Sequence, residues 1–195
     1  MLENITFAVN NGDFTIITGP NGGGKSTLGK IILKDIKADS GEIQVRGRVS
    51  YAAQKLTPPA SLPMTVLEFL SLEKSPILED IYNEFEIEKI KNCKLNSLSG
   101  GQLQKVNLCM AIRQNCDIIV LDEPDQNLDF NAQNTLYKLL KKFRSFYTFV
   151  IISHDIHGLL SAAPDAKVIC INKSLHCSGH FDIVHDNHCN VACKK

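Results

Sequence analysis

The sequence has no excess charge of either sign, because 21 lysines and arginines balance 21 aspartates and glutamates. Proteins that bind nucleic acid need surplus basic residues to neutralise phosphates, so this composition argues against nucleic acid as a partner. The sequence also lacks long apolar runs. The longest, Ile118–Leu121 and Phe149–Ile152, are far shorter than the roughly 20 residues that cross a bilayer. The first residues lack the basic and apolar regions of an export signal, so we expect an intracellular protein.

Cysteine usage is also inconsistent with an exported, disulfide-stapled protein. The seven cysteines are an odd number scattered along the chain. Without an export signal they indicate reduced thiols. The chain has 195 residues, 44% of them hydrophobic, which is enough for a single domain (1–195) with its own core and too apolar for a disordered chain.

Apolar segments of strand length alternate with amphipathic segments of helix length, which predicts an α/β fold with a largely parallel sheet. The predicted strands are Ile5–Val9, Phe14–Thr18, Glu42–Val45, Val49–Tyr51, Ile118–Leu121, Thr148–Ile152 and Lys167–Ile171. The predicted helices are Ser26–Asp35, Val66–Leu72, Pro76–Ile90, Leu103–Arg113 and Ala132–Arg144. Prolines 58, 59, 63 and 76 mark a change of character after residue 55. We therefore expect a core of about 1–55 and 114–195 with an inserted helical subdomain of about 56–113.

A glycine-rich segment follows the strand Phe14–Thr18. It consists of Gly19, Pro20, Asn21, Gly22, Gly23, Gly24, Lys25, Ser26 and Thr27. This is the phosphate-binding pattern G-x-x-x-x-G-K-[ST], and its position between a strand and a helix argues against a glycine-rich turn that binds nothing. Glycines let backbone N–H groups converge on phosphate oxygens, and the helix N-terminus adds partial positive charge. We expect Lys25 to reach the β- and γ-phosphates and the Ser26 hydroxyl to ligate Mg²⁺.

Two acidic residues, Asp122 and Glu123, follow the apolar strand Ile118–Leu121. The carboxyl ends of parallel strands meet at one edge of a sheet, so both carboxylates are expected beside the phosphate loop. We predict that Asp122 holds Mg²⁺, directly or through water, and that Glu123 accepts a proton from the water that attacks the γ-phosphate.

A third segment, Leu98–Gln102, contains Ser99, Gly100, Gly101 and Gln102 and opens a long helix. Alone it indicates no more than a capped helix N-terminus. Together with the two segments above, it makes the chain resemble the ATP-binding subunits of ABC transporters. The matching family motifs are Walker A at Gly19–Thr27, the Q-loop glutamine Gln54, the signature at Leu98–Gln102, Walker B at Ile118–Asp122 with Glu123, the D-loop at Asn127–Asp129, and the switch histidine His154.

The resemblance implies a P-loop NTPase core of RecA type with an inserted helical subdomain, and an Mg²⁺-dependent ATPase. It implies a head-to-tail homodimer in which each ATP lies between Gly19–Thr27 of one copy and Ser99–Gln102 of the other. His154 is then expected to donate to the γ-phosphate, with Glu123 and Lys25 as its catalytic partners. Gln54 is expected to contact Mg²⁺, and Asp129 is the aspartate of the D-loop motif.

The stretches 47–56 and 62–70 are similar to the ATPase of bacterial high-affinity zinc importers, as are 169–172 and 176–179. That resemblance implies zinc uptake at the cytoplasmic face of the cell membrane, with membrane permease subunits and, indirectly, an external metal-binding protein as partners. A manganese or iron importer is one alternative, because such ATPases share much of these stretches. A non-transport ABC ATPase and a truncated remnant that binds nucleotide with little turnover are the others.

The chain departs from the family at several positions. Lys105 stands where the family usually has Arg, and Met110 where a second Arg is common. Nothing upstream of Leu2 supplies the aromatic residue that stacks on adenine, so we expect weakened ATP affinity. Asp125 stands where the family has Thr or Ser.

The tail carries His176, Cys177, His180, His185, His188, Cys189 and Cys193, which are zinc-ligand residue types. Their spacing fits no closed four-ligand pattern, so we favour a plain terminal segment over a zinc-sensing tail.

Overall fold

The sheet has six strands in the order β2-β3-β4-β1-β5-β6. The computed structural model describes residues 2–52, 63–73, 79–114 and 116–180, without the side chains of 79–81 and 175–180. The strands are β1 Phe14–Thr18, β2 Val49–Ala52, β3 Ile118–Asp122, β4 Thr148–Ile152, β5 Lys167–Asn172 and β6 Ser174–His180. All neighbouring strands pair in parallel except β5 and β6, which are antiparallel. The predicted α/β fold with a largely parallel sheet is confirmed.

Seven described helices accompany the sheet. They are α1 Lys25–Ile32, α2 Val66–Leu70, α3 Glu79–Glu84, α4 Ile87–Ile90, α5 Gly100–Arg113, α6 Phe130–Phe143 and α7 Ile156–Ala162. A short 3₁₀ turn at Leu95–Ser97 leads into α5. None of these helices is long and apolar enough to cross a membrane.

The two faces of the sheet are both covered, which explains why the inner strands β3 and β4 are almost entirely apolar. Ile16 packs into the larger buried cluster, which also includes residues of α2, α5, α6 and α7. The next residue, Ile17, packs into the smaller cluster on the opposite face with Leu28 of α1. Successive side chains of a strand point to opposite faces, so an apolar strand such as β1 fills both layers.

The helices from 66 to 113 are tied to each other by specific polar contacts. Thr65 caps α2, because its hydroxyl accepts a hydrogen bond from the Glu68 N–H while Glu68 accepts from the Thr65 N–H. At the other end of α2, the Arg113 guanidinium donates to the carbonyls of Leu70 and Glu73. The last turn of α5 is therefore bonded to the end of α2 and to the turn that follows it.

Two predicted strands are absent. Residues 5–9 keep an alternating pattern of half-buried and exposed side chains but have no regular strand ladder among the described residues, and Glu42–Val45 also lies outside the sheet. The apolar side chains at 5, 7 and 9 pack against the smaller cluster. A strand requires a neighbouring strand for its backbone hydrogen bonds, and alternation alone does not provide one.

The predicted helix Pro76–Ile90 was also wrong in its described part. Two helices, α3 and α4, stand there, separated at Glu86, whose φ of 55° is left-handed. The Glu86 carboxylate receives Lys89 and also Lys105 of α5, at 2.8 Å from the latter. This bridge to α5 favours the break. Helix α7 and strand β6 were not predicted as such, although the resemblance included part of β6.

Candidate active site

The carboxyl ends of the parallel strands converge at one edge of the sheet. There β1 continues into Gly19–Thr27, β3 into Glu123, and β4 into Ser153 and His154. Two backbone hydrogen bonds extend the ladder beyond the strands, from Glu123 N–H to the Ile152 carbonyl (2.7 Å) and from Ser153 N–H to the Ile17 carbonyl (3.1 Å). The sheet thereby places the phosphate loop, the acidic pair and the histidine side by side. The sequence predicted the acidic pair at this edge, and the resemblance implied the histidine.

The phosphate loop owes its path to contact with the end of β5. Gly19 has φ 142°, and a Cβ there would lie 1.9 Å from the Ile171 carbonyl oxygen. A Cβ at Gly23 would lie 2.9 Å from the same oxygen, and the Gly23 carbonyl accepts from the Lys173 N–H at 2.9 Å. These glycines are thus required by close backbone packing, in addition to any approach of phosphate.

The amino-terminal segment also contacts this loop. A Cβ at Gly24, whose φ is 98°, would lie 2.2 Å from a methyl carbon of Leu2. The next residue, Glu3, donates its N–H to the Lys173 carbonyl at 2.7 Å. The Leu2 side chain therefore forms one wall of the phosphate loop.

Lys25 is folded back into the loop. Its ammonium lies 2.9 Å from the Gly19 carbonyl oxygen, 3.2 Å from that of Pro20 and 3.1 Å from Nε2 of His154. Burial lowers the pKa of Lys25, and the negative charges of Glu123 and Asp122 oppose that shift. The two carbonyl oxygens are acceptors for the ammonium, and an anionic ligand would have to replace them.

Glu123 and His154 face each other across the ends of β3 and β4. Glu123 Oε1 lies 3.2 Å from His154 Nε2, and the glutamate is largely buried while the imidazole is 45% exposed. Burial raises the pKa of Glu123, and Asp125 adds to the rise while His154 and Lys25 oppose it. The same Nε2 also contacts Lys25. One ring nitrogen cannot donate to Glu123 and accept from Lys25 at once, so two hydrogen-bonding arrangements compete at this atom.

Asp122 lies deeper, at the base of the loop. Its Oδ2 accepts from the Tyr51 hydroxyl at 3.3 Å, while Oδ1 is buried and has no hydrogen-bond partner in the described part of the chain. Burial raises the pKa of Asp122, and hydrogen bonds from Tyr51 and Ser26 oppose the rise. Burial and Asp122 raise the pKa of Tyr51 to about 12. A buried, unpaired carboxylate oxygen beside a serine hydroxyl fits the oxygen ligands that Mg²⁺ prefers.

The signature segment occupies a different surface. Ser99 caps α5, and its capping box with Gln102 has distances of 2.9 and 3.3 Å. A Cβ at Gly101 would lie 2.8 Å from the Ala132 Cβ at the start of α6, which Asp129 caps by accepting from the Ala132 N–H. The signature therefore packs against the start of α6, and Ser99 and Gly100 remain exposed.

Sequence reasoning did not assign a role to several polar groups at this edge. Tyr51 could have been found from strand order, because β2 and β3 are parallel neighbours and both end here. Asp125 is buried and accepts from the Ser153 hydroxyl, a contact between segments that no local pattern reveals. Gln54 and the tail residues His185, His188, Cys189 and Cys193 lie outside the described residues, as do the side chains of the three other candidate zinc ligands.

Comparisons with known proteins agree with this geometry. The ABC transporter family pattern matches residues 2–126. The zinc import ATP-binding protein ZnuC 1 of Hahella chejuensis is 37% identical over 185 residues, which are 92% of this chain and 72% of the relative. A probable metal transport system ATP-binding protein of Thermotoga maritima is 33% identical over 198 residues, covering 94% of this chain and 80% of the relative.

Solved structures of ABC cassettes share the fold as well. A dimeric cassette in a post-hydrolysis state, bound to ADP and Pi, superposes with a TM-score of 0.74 at 25% identity, covering 92% of this chain and 90% of that one. Since the family pattern, the relatives and the fold all agree, this chain belongs to the ATP-binding proteins of the ABC transporter family.

Proposed function

We propose that the chain is the ATP-hydrolysing subunit of an ABC importer for a divalent metal, and that this metal is zinc. The observation that supports it best is the position of His154 at the phosphate loop, with its Nε2 3.1 Å from the Lys25 ammonium and 3.2 Å from Glu123 Oε1. The choice of zinc is supported by the relative from Hahella chejuensis, whose name states zinc import. The relative from Thermotoga maritima is named for metal transport in general, which leaves manganese and iron as the other cargoes to test.

The binding step follows from the contacts of the phosphate loop. Backbone N–H groups of Gly19–Thr27 receive the phosphates, and Lys25 exchanges its carbonyl contacts for β- and γ-phosphate oxygens. Once Lys25 is drawn to phosphate, Nε2 of His154 is released from it and can donate to the γ-phosphate. Ser26 and Asp122, with Gln54, would hold Mg²⁺, which offsets the charge of the phosphates.

Glu123 is the proposed general base. Its pKa is raised by burial, so its carboxylate is a better proton acceptor than an exposed glutamate. The side chain stays within reach of His154, which orients it. Attacking water placed between Glu123 and the γ-phosphate would lose its proton to this carboxylate as its oxygen bonds to the γ-phosphorus. The bond from that phosphorus to the β,γ-bridging oxygen would break in the same displacement, which releases ADP and inorganic phosphate.

A second copy of the chain completes the proposed site. Ser99 and Gly100 are exposed at the start of a 14-residue helix. The Ser99 N–H is held by Gln102, but the Gly100 N–H belongs to the first helical turn, whose N–H groups no carbonyl of the helix can pair, so it can bind an anion outside its own chain. We therefore propose a homodimer in which Ser99–Gln102 of one protomer contacts the ATP bound to its partner. Asp129, which caps α6 next to this segment, lies on the same surface.

The remaining partners follow from the transporter role. The helical subdomain, about 56–113, is proposed to dock on membrane permease subunits at the cytoplasmic face of the membrane. An external metal-binding protein would supply the cargo to the permease. Nucleic acid is not a proposed partner, because the net charge is zero.

Steady-state phosphate release with MgATP tests the proposal. Glu123→Gln keeps the size of the side chain but removes the base, so we expect a rate loss of about 10²-fold or more. Glu42→Gln, at an exposed position that contacts Gln44, is the matched control and should retain the wild-type rate. Equal rates for wild type and Glu123→Gln would refute hydrolysis at this site and favour a nucleotide-binding remnant.

The cargo is tested separately, in bacteria that lack their own zinc-importer ATPase. Expression of the wild-type chain should restore growth under zinc chelation, whereas Glu123→Gln should not. Growth restored only under manganese or iron limitation would contradict zinc as the cargo.

A further inference from the structure

A buried polar cluster lies directly behind the Glu123–His154 pair, and the proposed chemistry does not use it. We name it the Asp125 cluster; it consists of Asp125, Tyr137, Ser153 and Asp155. Its members come from the turn after β3, from α6 and from the β4–α7 junction. Asp125 is 6% exposed and Ser153 is fully buried, so solvent does not satisfy their polar atoms.

The hydrogen bonds of the cluster have a defined direction. The Asp155 N–H donates to the Ser153 oxygen at 2.9 Å, so the proton of that hydroxyl is free to point elsewhere. Both carboxylate oxygens of Asp125 lie within 3.0 Å of the Ser153 oxygen and accept that proton. Asp155 in turn accepts from the Tyr137 hydroxyl at 2.6 Å and from the Gly158 N–H at 2.9 Å.

This arrangement holds the backbone on both sides of His154. Ser153 and Asp155 flank the histidine, and Asp125 stands two residues after Glu123. The imidazole itself is 45% exposed, and its described side-chain contacts are with Glu123 and Lys25. Its placement therefore depends on the position of the backbone at 153–155 more than on packing around the ring.

Helix α7 packs closely against the Asp125 cluster. A Cβ at Gly158 would lie 2.4 Å from a ring carbon of Tyr137, so α7 approaches the phenol as only glycine allows. Burial raises the pKa of Asp125, and the charge of Asp155 adds to the rise. A buried carboxyl beside a second acid lowers the stability of the fold, and such a loss of stability is characteristic of functional sites.

We propose that Asp125 is a positioning residue for ATP hydrolysis: by accepting the hydroxyl proton of Ser153, it fixes the 153–155 backbone and so sets His154 against Glu123 and the γ-phosphate. This inference rests on the proposed function. It concerns the one residue at this turn that departs from the family pattern, where a Thr or Ser hydroxyl is usual. A hydroxyl at this position could donate or accept a hydrogen bond, whereas the Asp125 carboxylate can only accept one from Ser153, and it does so from a buried position.

The test compares Asp125→Ala, Asp125→Asn and Ser153→Ala, with Ser161→Ala as a control that removes an exposed hydroxyl from α7. Misplacement of a catalytic group by 1 Å can cost about 10²-fold, so Asp125→Ala should lower kcat about tenfold or more. The KM for ATP should stay within about threefold, because Gly19–Thr27 and Lys25 remain in place. Asp125→Asn, whose amide oxygen still accepts from Ser153, should stay within about threefold of wild-type kcat.

Binding without turnover provides a second readout, which a merely structural role would not move. Asp125→Ala should bind ATP more weakly by no more than the same threefold while keeping the wild-type affinity for ADP, because only the γ-phosphate contact of His154 is lost. Ser153→Ala should reproduce the kcat of Asp125→Ala, and the double variant should show no further loss. Ser161→Ala should behave as wild type.

The outcomes separate this inference from the proposed function. If Glu123→Gln abolishes turnover while folded Asp125→Ala keeps the wild-type kcat, the positioning role is refuted and the proposed function stands. If Asp125→Ala fails to fold by circular dichroism, Ser153→Ala decides, and a wild-type kcat there overturns the inference. An Asp125→Asn variant as slow as Asp125→Ala would also overturn it, because an acceptor would then not suffice.

Discussion

Replacement of Gly19 by alanine tests the packing of the phosphate loop. Gly19 has φ 142°, a conformation that costs a residue with a Cβ about 1–3 kcal/mol. The new Cβ would also lie 1.9 Å from the Ile171 carbonyl oxygen, a separation that real Cβ atoms do not adopt. Moving packed backbone apart by about 1 Å adds a further cost of about 1–3 kcal/mol. We therefore expect Gly19→Ala to lower the free energy of unfolding by about 4 kcal/mol.

Thermal unfolding measures this cost. At about 2–4 °C per kcal/mol for a chain of this size, Gly19→Ala should lower Tm by about 8–16 °C. Gly22→Ala is the matched control, because Gly22 also has a positive φ, 76°, but its Cβ would meet nothing within 4 Å. Only the left-handed backbone then adds strain, of about 1–2 kcal/mol. Equal Tm losses for the two variants would refute contact with Ile171 as the reason for glycine at position 19.

Three further predictions concern the rest of the chain. Burial raises the pKa of Asp125 in the folded state above its usual 3.8. The Asp125 carboxyl therefore adds to the free energy of unfolding below pH 3.8, and this contribution is lost as the pH rises through the folded-state pKa. The stability advantage of Asp125→Asn over wild type should therefore grow from about pH 4 to pH 7 in urea unfolding, and a constant difference would contradict this. Burial raises the pKa of Cys109 to about 12, so a thiol reagent followed by peptide mapping should label exposed Cys93 well before Cys109; the reverse order would be inconsistent with the fold. Phe85 is fully buried, so Phe85→Ala should cost about 3–5 kcal/mol in chemical unfolding. The 74%-exposed Phe146 should cost under about 0.5 kcal/mol when replaced by alanine, and similar losses for the two would contradict the burial pattern.

The elements that carry the phosphate loop and the acidic pair were predictable because their signals are local. An apolar run of strand length followed by glycines or by two acids marks the end of a parallel strand. The strands Phe14–Thr18 and Thr148–Ile152 are observed with the predicted bounds, and Ile118–Leu121 extends by one residue to Asp122. Neighbouring carboxyl ends then follow from the parallel arrangement of the sheet alone.

The errors arose where an element depends on distant residues. Ile5–Val9 has the alternation of a strand, but regular strand structure also needs a neighbour, which the local pattern cannot report. The break at Glu86 coincides with an ion pair to Lys105, 19 residues away, which no local pattern reports. Helix α7 has only seven residues, Ile156–Ala162, and Asp155 caps its N-terminus. So short a helix gives little periodic signal in the sequence.

The Asp125 cluster shows the same limit within the site. Asp125 and Ser153 are 28 residues apart, and Tyr137 and Asp155 are 18 apart. The sequence marks Asp125 only as a departure from the family, without indicating a partner. Its partner could be identified only when β3 and β4 were placed side by side, with Asp122 opposite Ile152 in the register.

Sedimentation velocity of the Glu123→Gln chain tests most directly whether nucleotide joins two copies through the exposed Ser99–Gln102 segment. In magnesium with ATP, which this variant should bind but not cleave, the account predicts a dimer. With ADP, or with ATP and a second substitution of Ser99 by Glu, it predicts a monomer. A chain that stays monomeric in saturating ATP and magnesium would contradict the account.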